Sequence, residues 1–312
     1  MNNLLLAYHL AVMLVAPIFL VGIINRVKAL WSGRRGPRLD QFWYDLKRLL
    51  SKTPVYSEVT SWIFPLAPLV VLATTVCAAL MSPILPGYAP FGFPGDFIAV
   101  AYLLGLGKVF LILGALDTGS AFEGMGASRE ATYSALTEPV LLLGVGTLGW
   151  ISGLHSFQDL VVAVDPWSIE MGVRVMIALA LFVVLLVESS RVPADDPTTH
   201  LELTMVHEVM ILDHSGPELA TVQYASGIKM TLLAGLMSAV LNPFRCDAGG
   251  VQAALGVATS TGLMVVTGGA VGLVESLTAR LRFKVLPAFI FAAFVGVLVS
   301  LAVVLASKGA IQ

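Results

Sequence analysis

Charged residues are scarce in this chain. Of its 312 residues, 12% are Asp, Glu, Lys or Arg and 57% are hydrophobic, whereas a soluble globular protein carries roughly 25% charged residues. This scarcity excludes a water-soluble enzyme and a disordered scaffold. It predicts instead a protein that lies within a lipid bilayer, where the few charged side chains carry most of the information.

Cysteine is scarce as well. Cys77 and Cys246 are the only two, and they form no C-x-x-C pair, which argues against a disulfide framework, an iron–sulfur cluster and a Cys-ligated zinc or nickel site within this chain. The sequence also lacks a P-loop, a G-x-G-x-x-G after a strand and an H-E-x-x-H motif, and its net charge is −2. We therefore predict no catalytic residue, no bound metal and no cofactor in this chain, and no binding to nucleic acid.

Eight long apolar runs dominate the sequence. A bilayer core about 30 Å thick is crossed by about 20 apolar residues in a helix. The predicted fold class is an all-α integral membrane protein with about eight transmembrane helices, forming a single polytopic domain over residues 1–312. The predicted spans run approximately over Leu4–Ile24, Ile63–Leu85, Phe97–Leu116, Tyr133–Ile151, Gly172–Val187, Val222–Leu241, Val251–Val274 and Val285–Ala306.

Lysine and arginine are distributed unequally between the two sides of these spans. Thirteen of the eighteen lie in the odd-numbered loops and three on the even-numbered side, while Lys108 and Lys229 lie within spans. Because basic residues are enriched in cytoplasmic loops, we predict that the odd-numbered loops are cytoplasmic and that both termini lie outside. Two cytoplasmic segments stand out: the first loop at residues 25–60, and an acidic, His-containing loop at residues 188–218.

The first loop contains an amphipathic segment. Its apolar residues recur at helical spacing and its charged residues occupy the other faces, which predicts a helix that lies in the membrane interface. Two roles are open for this helix, an interfacial anchor and a docking site for a peripheral partner. The apolar residues are Phe42, Leu46, Leu49 and Leu50, and the charged residues are Asp45, Lys47, Arg48 and Lys52.

Six charged residues lie within the predicted spans or at their ends. Lys108 and Lys229 fall near the middle of the third and sixth spans, where a charge costs about 2.5–3.5 kcal/mol and usually faces the interior of a bundle. Four carboxylates lie toward the predicted cytoplasmic side. Buried carboxylates and lysines can exchange protons near neutral pH, so one interpretation is a polar funnel for protons, and the other is a set of helix caps, interfacial groups and structural ion pairs. The carboxylates are Asp117, Glu123, Glu138 and Glu188.

Residues 188–218 hold seven of the twenty acidic residues and three of the five histidines. Thr199-x-x-Glu202 predicts a capping box that opens a helix. At helical spacing two stripes follow on roughly opposite faces, one of Leu201, Met205, Val209 and Leu212, and one of His200, His207 and His214. A spacing of seven residues separates the histidines by roughly 10.5 Å. This distance argues against a shared metal ion and favours a solvated or partner-facing edge.

Three segments of this chain resemble, in the same order, signatures of the complex I membrane-subunit family NuoH. Glu188-Ser-Ser-Arg-Val-Pro-Ala-Asp195 is similar to E-T-N-R-A-P-F-D, and Arg35-Gly-Pro-Arg38 with Asp40-Gln41 is similar to a shortened R-x-G-P-N-R. Ser128-Arg-Glu through Glu138-Pro resembles L-R-x-x-A-Q-x-x-S-Y-E-x-P. The resemblance spans nearly the whole chain and includes the count of eight helices.

The chain departs from the quinone-reducing members of that family at one motif. Where they carry E-G-E-x-E-L, this chain has Thr198-Thr-His-Leu-Glu202-Leu, and their E-Y-S-G is matched, three residues displaced, by Asp213-His-Ser-Gly216. Residues 117–129 and 197–208 look closer to the branch that contains formate hydrogenlyase subunit 4 and its counterpart in hydrogenase-4, which belong to membrane-bound [NiFe] hydrogenases. The closer similarity to this branch argues against a quinone pocket.

The resemblance implies a non-catalytic membrane subunit of an oxidoreductase complex. Such a subunit docks a peripheral redox arm on the cytoplasmic side and couples electron transfer to proton or sodium translocation through an acidic channel. The pathway residues implied by the resemblance are Glu138, Glu188, Arg191, Asp195, Glu202 and Asp213, to which the cost of burial adds Lys108, Asp117, Glu123 and Lys229. The residues predicted to dock a partner are Arg34, Arg35, Arg38, Asp40, Asp196, His200 and His207.

The partners implied by the resemblance are a peripheral Fe–S subunit, the large subunit of a [NiFe] hydrogenase and antiporter-like membrane subunits, in the inner membrane of a prokaryotic cell. Fe–S clusters and the NiFe centre are expected in those partners.

Two alternative functions stay open. A quinone-binding subunit of a respiratory NADH dehydrogenase would have a lipophilic tunnel between the amphipathic helix and residues 188–218. A stand-alone ion transporter would have an inverted internal repeat, and no such symmetry is visible between residues 1–155 and 156–312.

Overall fold

A computed structural model describes residues 2–152, 156–158, 168–195, 205–244, 246 and 250–309 of the chain. Within these ranges all regular structure is helical, and the chain forms ten helices. The predicted all-α fold is therefore confirmed. The helices are α1 (Asn2–Trp31), α2 (Gln41–Leu50), α3 (Ile63–Met81), α4 (Asp96–Asp117), α5 (Ala121–Ser152), α6 (Ile169–Glu188), α7 (His207–Met210), α8 (Gly216–Leu241), α9 (Gly250–Leu277) and α10 (Leu286–Gly309).

Eight of these helices, all except α2 and α7, are long and apolar enough to cross a membrane, and each overlaps one predicted span. The chain is thus a multi-pass integral membrane protein. The observed ends of these helices differ most from the predicted ends on the side predicted to be cytoplasmic. There α1 continues to Trp31, so that Arg26 and Lys28 lie on a helix rather than in a loop, and α5 begins at Ala121 rather than near Tyr133.

The early start of α5 has a packing cause. Its first three turns contain Glu123, Arg129 and Glu130, and hydropathy alone does not detect a helix of this polarity. In the folded chain these turns pack against α7. Gly126 has no side chain, and this allows Val209 to approach the α5 backbone closely. Tertiary contacts therefore stabilise helix where the sequence alone predicted a loop.

The predicted helix through residues 199–214 is wrong over the part that the structure describes. The helix α7 comprises only His207–Met210, and the chain turns at Ile211. His207 and His214 are both buried, so the expected solvated stripe of histidines is also incorrect for these two. Burial of Val209 and Met210 under α5 holds the short helix in place. The predicted capping box and His200 lie outside the described residues.

The helix α8 is the most deeply enclosed of the spans. It packs against α1, α3, α6 and α9, while α10 lies at the periphery against α5 and α6. Small residues such as Gly227 and Gly235 on α8 allow its neighbours to approach closely. A charged side chain on α8 therefore lies in the interior of the bundle, where other protein groups rather than lipid must compensate it.

The amphipathic helix predicted in the first loop is confirmed as α2. It packs on α1 and α8, with Leu46 buried at 4% exposure and Leu50 at 57% exposure on its outer face. Phe42 reaches the α8 backbone at Gly227. The helix is therefore attached to the bundle by its apolar stripe, and its basic residues remain on the surface.

Candidate functional site

Three predicted charges meet inside the bundle. Glu188 at the end of α6 lies between Lys108 of α4 and Lys229 of α8: Lys108 Nζ is 2.5 Å from Glu188 Oε1, and Lys229 Nζ is 3.4 Å from Glu188 Oε2. The hydroxyl of Thr137 donates a hydrogen bond of 3.0 Å to the same Oε1. The three charged side chains are between 8% and 12% exposed. The Glu188 carboxylate therefore contacts two ammonium groups at a depth where an unpaired charge is costly.

A fourth predicted residue, Glu138 of α5, lies at the edge of this cluster. Its Oε1 is 3.8 Å from Lys108 Nζ, but 44% of its side chain is exposed. Gly105 on α4 lies beside the carboxylate and leaves space there. Because α5 is a membrane span, this exposed carboxylate faces outward from the bundle at membrane depth.

A small cavity of about 30 Å³, called here the inner cavity, adjoins the cluster. It has room for one or two water molecules. The polar residues in its wall are Thr75, Lys108, Glu130, His207, Ser226 and Lys229. Glu130 was not among the predicted pathway residues, because it precedes the predicted span Tyr133–Ile151 and was expected in a loop. The spacing of Glu130, Thr137 and Glu138 by seven and eight residues is a helical signal that could have identified it.

A larger cavity of about 470 Å³, called here the vestibule, lies between α1, α2, α8 and the segment after α6. Its wall is mixed in character. Apolar side chains such as Val21 and Met230 alternate with charged ones, and the charged residues are Asp45, Arg48, Arg191 and Glu208. The vestibule occupies the region where a quinone-binding subunit was predicted to have a lipophilic tunnel, but its wall is considerably more polar than that prediction requires.

Asp195, a predicted pathway residue, forms hydrogen bonds with the start of α7. Its Oδ2 accepts hydrogen bonds from the backbone N–H groups of Val206 (3.0 Å) and His207 (3.1 Å), and its Oδ1 lies 3.1 Å from an Nη of Arg280. These bonds satisfy N–H groups at the start of a helix. Asp195 therefore positions His207 rather than contacting the lysines directly.

Arg191 contacts a buried acid that sequence reasoning missed. Its guanidinium is 3.5 Å from Glu275 Oε1, and Lys28 Nζ is 2.9 Å from Glu275 Oε2. The side chain of Glu275 is fully buried. The ion pairs of Glu275 with Lys28 and Arg191 join α9 to α1 and to the residues that directly follow α6. Glu275 directly follows the predicted span Val251–Val274, and a charge at the end of a span is too common to indicate a buried site.

The structure does not bring the remaining predicted acids into contact with the lysines. Asp117 Oδ2 accepts the backbone N–H of Ser61 at 2.7 Å, and Glu123 Oε1 accepts the backbone N–H of Asp213 at 3.1 Å. In the described part of the chain these carboxylates therefore join α4 and α5 to neighbouring loops. Glu202 lies outside the described residues.

The predicted docking residues differ in their exposure to solvent. Arg34, Arg35 and Arg38 are exposed near α2, and Arg38 forms two hydrogen bonds of 3.0 and 2.9 Å with Asp40. His207 is only 8% exposed. This burial does not suit a contact with a partner at the surface, so the expected placement of His207 on the docking surface is corrected. Asp196 and His200 lie outside the described residues.

Burial changes the chemistry of both described histidines in this region. It lowers the pKa of His207 to about 3, with a further contribution from the positive charge of Lys229. Burial also lowers the pKa of His214, whose ring stacks on Phe64 with 4.0 Å between ring centroids. Both imidazoles are therefore neutral at neutral pH. Across the described residues, no group of three or more His, Cys, Asp or Glu side chains is arranged to hold a metal ion.

The comparisons with known proteins agree with this architecture. A family model described as NADH dehydrogenase matches residues 4–306. Formate hydrogenlyase subunit 4 of Escherichia coli (strain K12) is 29% identical over 285 residues, which cover 90% of this chain and 91% of that protein. Hydrogenase-4 component C of the same organism is 31% identical over 240 residues, which cover 77% of this chain and 75% of that protein.

One solved structure extends the comparison to the fold. A chain in the membrane-bound sulfane sulfur reductase, an archaeal respiratory membrane complex, superposes with a TM-score of 0.73 at 16% sequence identity, covering 96% of this chain and 98% of that chain. The fold described above is therefore shared with a chain of a respiratory membrane complex over nearly its whole length.

Proposed function

Because this chain belongs to the NADH dehydrogenase family, we propose that it is the coupling subunit of a complex I-like, membrane-bound hydrogenase of the formate hydrogenlyase type. Its role as a membrane subunit follows from the eight spans and from its relatives. In the proposed role it docks a peripheral redox arm and links electron transfer to the translocation of protons, or of sodium ions, in the inner membrane of a prokaryote.

The observation that supports coupling is the cluster of Glu188 with Lys108 and Lys229. Two ammonium groups contact the Glu188 carboxylate, and Lys108 also lies 3.8 Å from Glu138 Oε1, so a change of protonation on any of these groups would redistribute charge within the cluster. Charged groups inside a membrane domain mark ion pathways more often than structural sites. Glu130 and the inner cavity extend the polar region from the cluster toward α7.

The exposed carboxylate of Glu138 supports the proposal of neighbouring membrane subunits. A carboxylate in contact with hydrocarbon is costly, and Glu138 is 44% exposed and 3.8 Å from Lys108. A neighbouring antiporter-like subunit that packs over α4 and α5 would cover this group. Protons could then pass sideways between the cluster and that neighbour.

The surface around α2 supports docking of the redox arm. The exposed basic residues Arg34, Arg35 and Arg38 lie beside the exposed aromatic residues Trp43 and Tyr44, and Arg and aromatic side chains are enriched in protein interfaces. In this proposal the arm contributes the peripheral Fe–S subunit and the [NiFe] large subunit. The Fe–S clusters and the NiFe centre belong to those partners.

Quinone binding is the second candidate, and the position of the vestibule favours it. The vestibule lies between α2 and the described part of residues 188–218, and its volume of about 470 Å³ is sufficient for a small ring system. The four charged side chains in its wall favour the hydrogenase-type role instead. Membership of a family of complex subunits also argues against a stand-alone transporter.

Substitution of Glu188 by Gln in the intact complex tests the proposal. The neutral amide would remove the carboxylate charge nearest to both lysines, and we expect hydrogen evolution and the associated ion movement to fall about 100-fold while the complex still assembles. Glu138→Gln is expected to uncouple ion movement from hydrogen evolution. Glu170→Gln, at the exposed start of the same helix α6, serves as the matched control. Wild-type hydrogen evolution and ion pumping in both test variants would contradict the proposal.

A further inference from the structure

The vestibule and the inner cavity meet at two residues. His207 of α7 and Ser226 of α8 line both cavities. On one side of them lies a space of about 470 Å³ with charged walls, and on the other a space of about 30 Å³ that contains Lys108, Glu130 and Lys229 in its wall. These two side chains therefore form the partition between the surface of the molecule and the buried cluster.

The backbone at His207 is held in place by contacts with Asp195 and Arg129. The backbone N–H of His207 donates to Asp195 Oδ2 at 3.1 Å, and Asp195 is held by Arg280 through a contact of 3.1 Å. Arg129 donates a hydrogen bond of 2.8 Å to the carbonyl of Met205, two residues before His207. A displacement of Asp195 or of Met205 would therefore move His207 and change the partition.

The electrostatic surroundings of His207 come from several elements. Lys229 on α8 disfavours a positive charge on the imidazole, and Glu188 at the end of α6 favours it. Glu130 on α5 shares the inner cavity, and Glu208 follows His207 in the wall of the vestibule. With burial, these groups keep the imidazole neutral at neutral pH, its pKa being about 3. A neutral imidazole has one donor and one acceptor nitrogen, so it can pass a proton without holding a charge for long.

We propose that His207, together with Ser226, is the gated proton relay between the vestibule and the buried cluster. One ring nitrogen accepts a proton from a hydronium ion in the vestibule, which becomes water, and the other ring nitrogen releases its proton to water in the inner cavity beside Glu130 and Lys229. Rotation of the ring then restores the starting tautomer. The number of protons on the imidazole is the same before and after the transfer. The ring also closes the partition to larger solutes. This inference deepens the proposed coupling function and rests on it.

Cysteine labelling in the intact complex tests the partition separately from the chemistry. In a Cys77→Ser background, Gln223→Cys places a thiol in the vestibule and Thr75→Cys places one in the inner cavity. The probe is a small, membrane-impermeant methanethiosulfonate added from the predicted cytoplasmic side. We expect the Thr75→Cys thiol to react at least about tenfold more slowly than the Gln223→Cys thiol, because it is reached only through local opening.

Removal of the ring should open the partition. His207→Ala is expected to increase labelling of the Thr75→Cys thiol about tenfold, while His214→Ala, which removes a second buried imidazole that lines neither cavity, should leave the rate unchanged. Equal labelling of Thr75→Cys with and without the His207 ring would overturn the partition. This labelling experiment gives the same answer whether or not the complex pumps ions, so its failure is distinct from a failure of the proposed function.

His207→Gln tests the relay itself. Glutamine has a similar length and forms hydrogen bonds, but it cannot take up and release a proton at neutral pH, so the partition should stay closed to the probe while ion movement falls about 100-fold. A Ser226→Ala variant is expected to reduce ion movement less, because the imidazole remains. Wild-type ion movement in His207→Gln would overturn the relay, even if Glu188→Gln behaves as the proposed function requires.

Discussion

Glu275 and Glu188 are the clearest examples of how this chain compensates buried charge. Each carboxylate contacts two cations, Lys28 and Arg191 in the first case and Lys108 and Lys229 in the second. Removal of one partner from such a group leaves a buried charge uncompensated, which costs about 3–5 kcal/mol. The ion pair of Arg38 and Asp40 lies at the surface, where solvent screens the attraction between the two charges. Buried charges in this chain therefore constrain the positions of helices far more than surface charges do.

His214 should make the stability of the protein depend on pH. Burial lowers its pKa below the ordinary value of about 6.5, although Glu218 and Asp213 act in the opposite direction. The folded chain therefore binds this proton less readily than the unfolded chain. Stability is greatest above the ordinary pKa and falls as the pH decreases below it.

Thermal unfolding of the purified complex at about pH 7.5 and about pH 5.5 measures this dependence. The melting temperature should be lower at the acidic pH. His214→Gln should reduce that difference, since Gln carries no titratable proton in this range. His207 also has a lowered pKa, so part of the dependence should remain. An unchanged difference in His214→Gln would show that His214 does not contribute.

The helix α2 illustrates what periodicity predicts well. The recurrence of Phe42, Leu46 and Leu49 predicted an amphipathic helix, and the structure confirms it. The helices α5 and α7 show the opposite case, because their extents depend on each other. The polar first turns of α5 are helical where they pack against α7. The helix α7 ends at Met210, after which the chain turns and His214 stacks on Phe64.

Leu46 should contribute most of the attachment of α2 to the bundle. It is 4% exposed, whereas Leu50 on the same helix is 57% exposed. We expect Leu46→Ala to loosen α2 by about 2–4 kcal/mol and to increase proteolytic cleavage between residues 32 and 62. Leu50→Ala, the same substitution on the outer face, should cost about 0.5 kcal/mol or less. Similar cleavage rates in the two variants would contradict the packing described for α2.

The molecule as a whole has two chemically different ends. The end that contains α2, α7 and the vestibule carries most of the basic residues and the polar cavities, while the opposite end contains the turn between α3 and α4. Docking of a redox arm is expected only at the first of these ends. The apolar sides of the bundle are left for lipid and for neighbouring membrane subunits.

Photo-crosslinking of the intact complex tests the docking end. A crosslinking amino acid at exposed Trp43 or Leu212 should capture a cluster-bearing subunit, while the same group at exposed Phe91, which follows α3 at the opposite end, should not. The captured subunits are identified by mass spectrometry. If neither Trp43 nor Leu212 yields a cluster-bearing subunit, the proposed docking surface is wrong.

The scarcity of charge and the long apolar runs were sufficient to predict the membrane, the eight spans and α2, because hydropathy and periodicity are local properties of a chain. The cost of burial also identified Lys108, Lys229 and Glu188 as residues that need partners. The pairing of those partners, the burial of His207 and the contribution of Glu130 and Glu275 depend on which helices pack together. Such contacts join residues far apart in the sequence, so the tertiary structure alone decides that Glu188 lies between Lys108 and Lys229 and that Glu275 lies between Lys28 and Arg191.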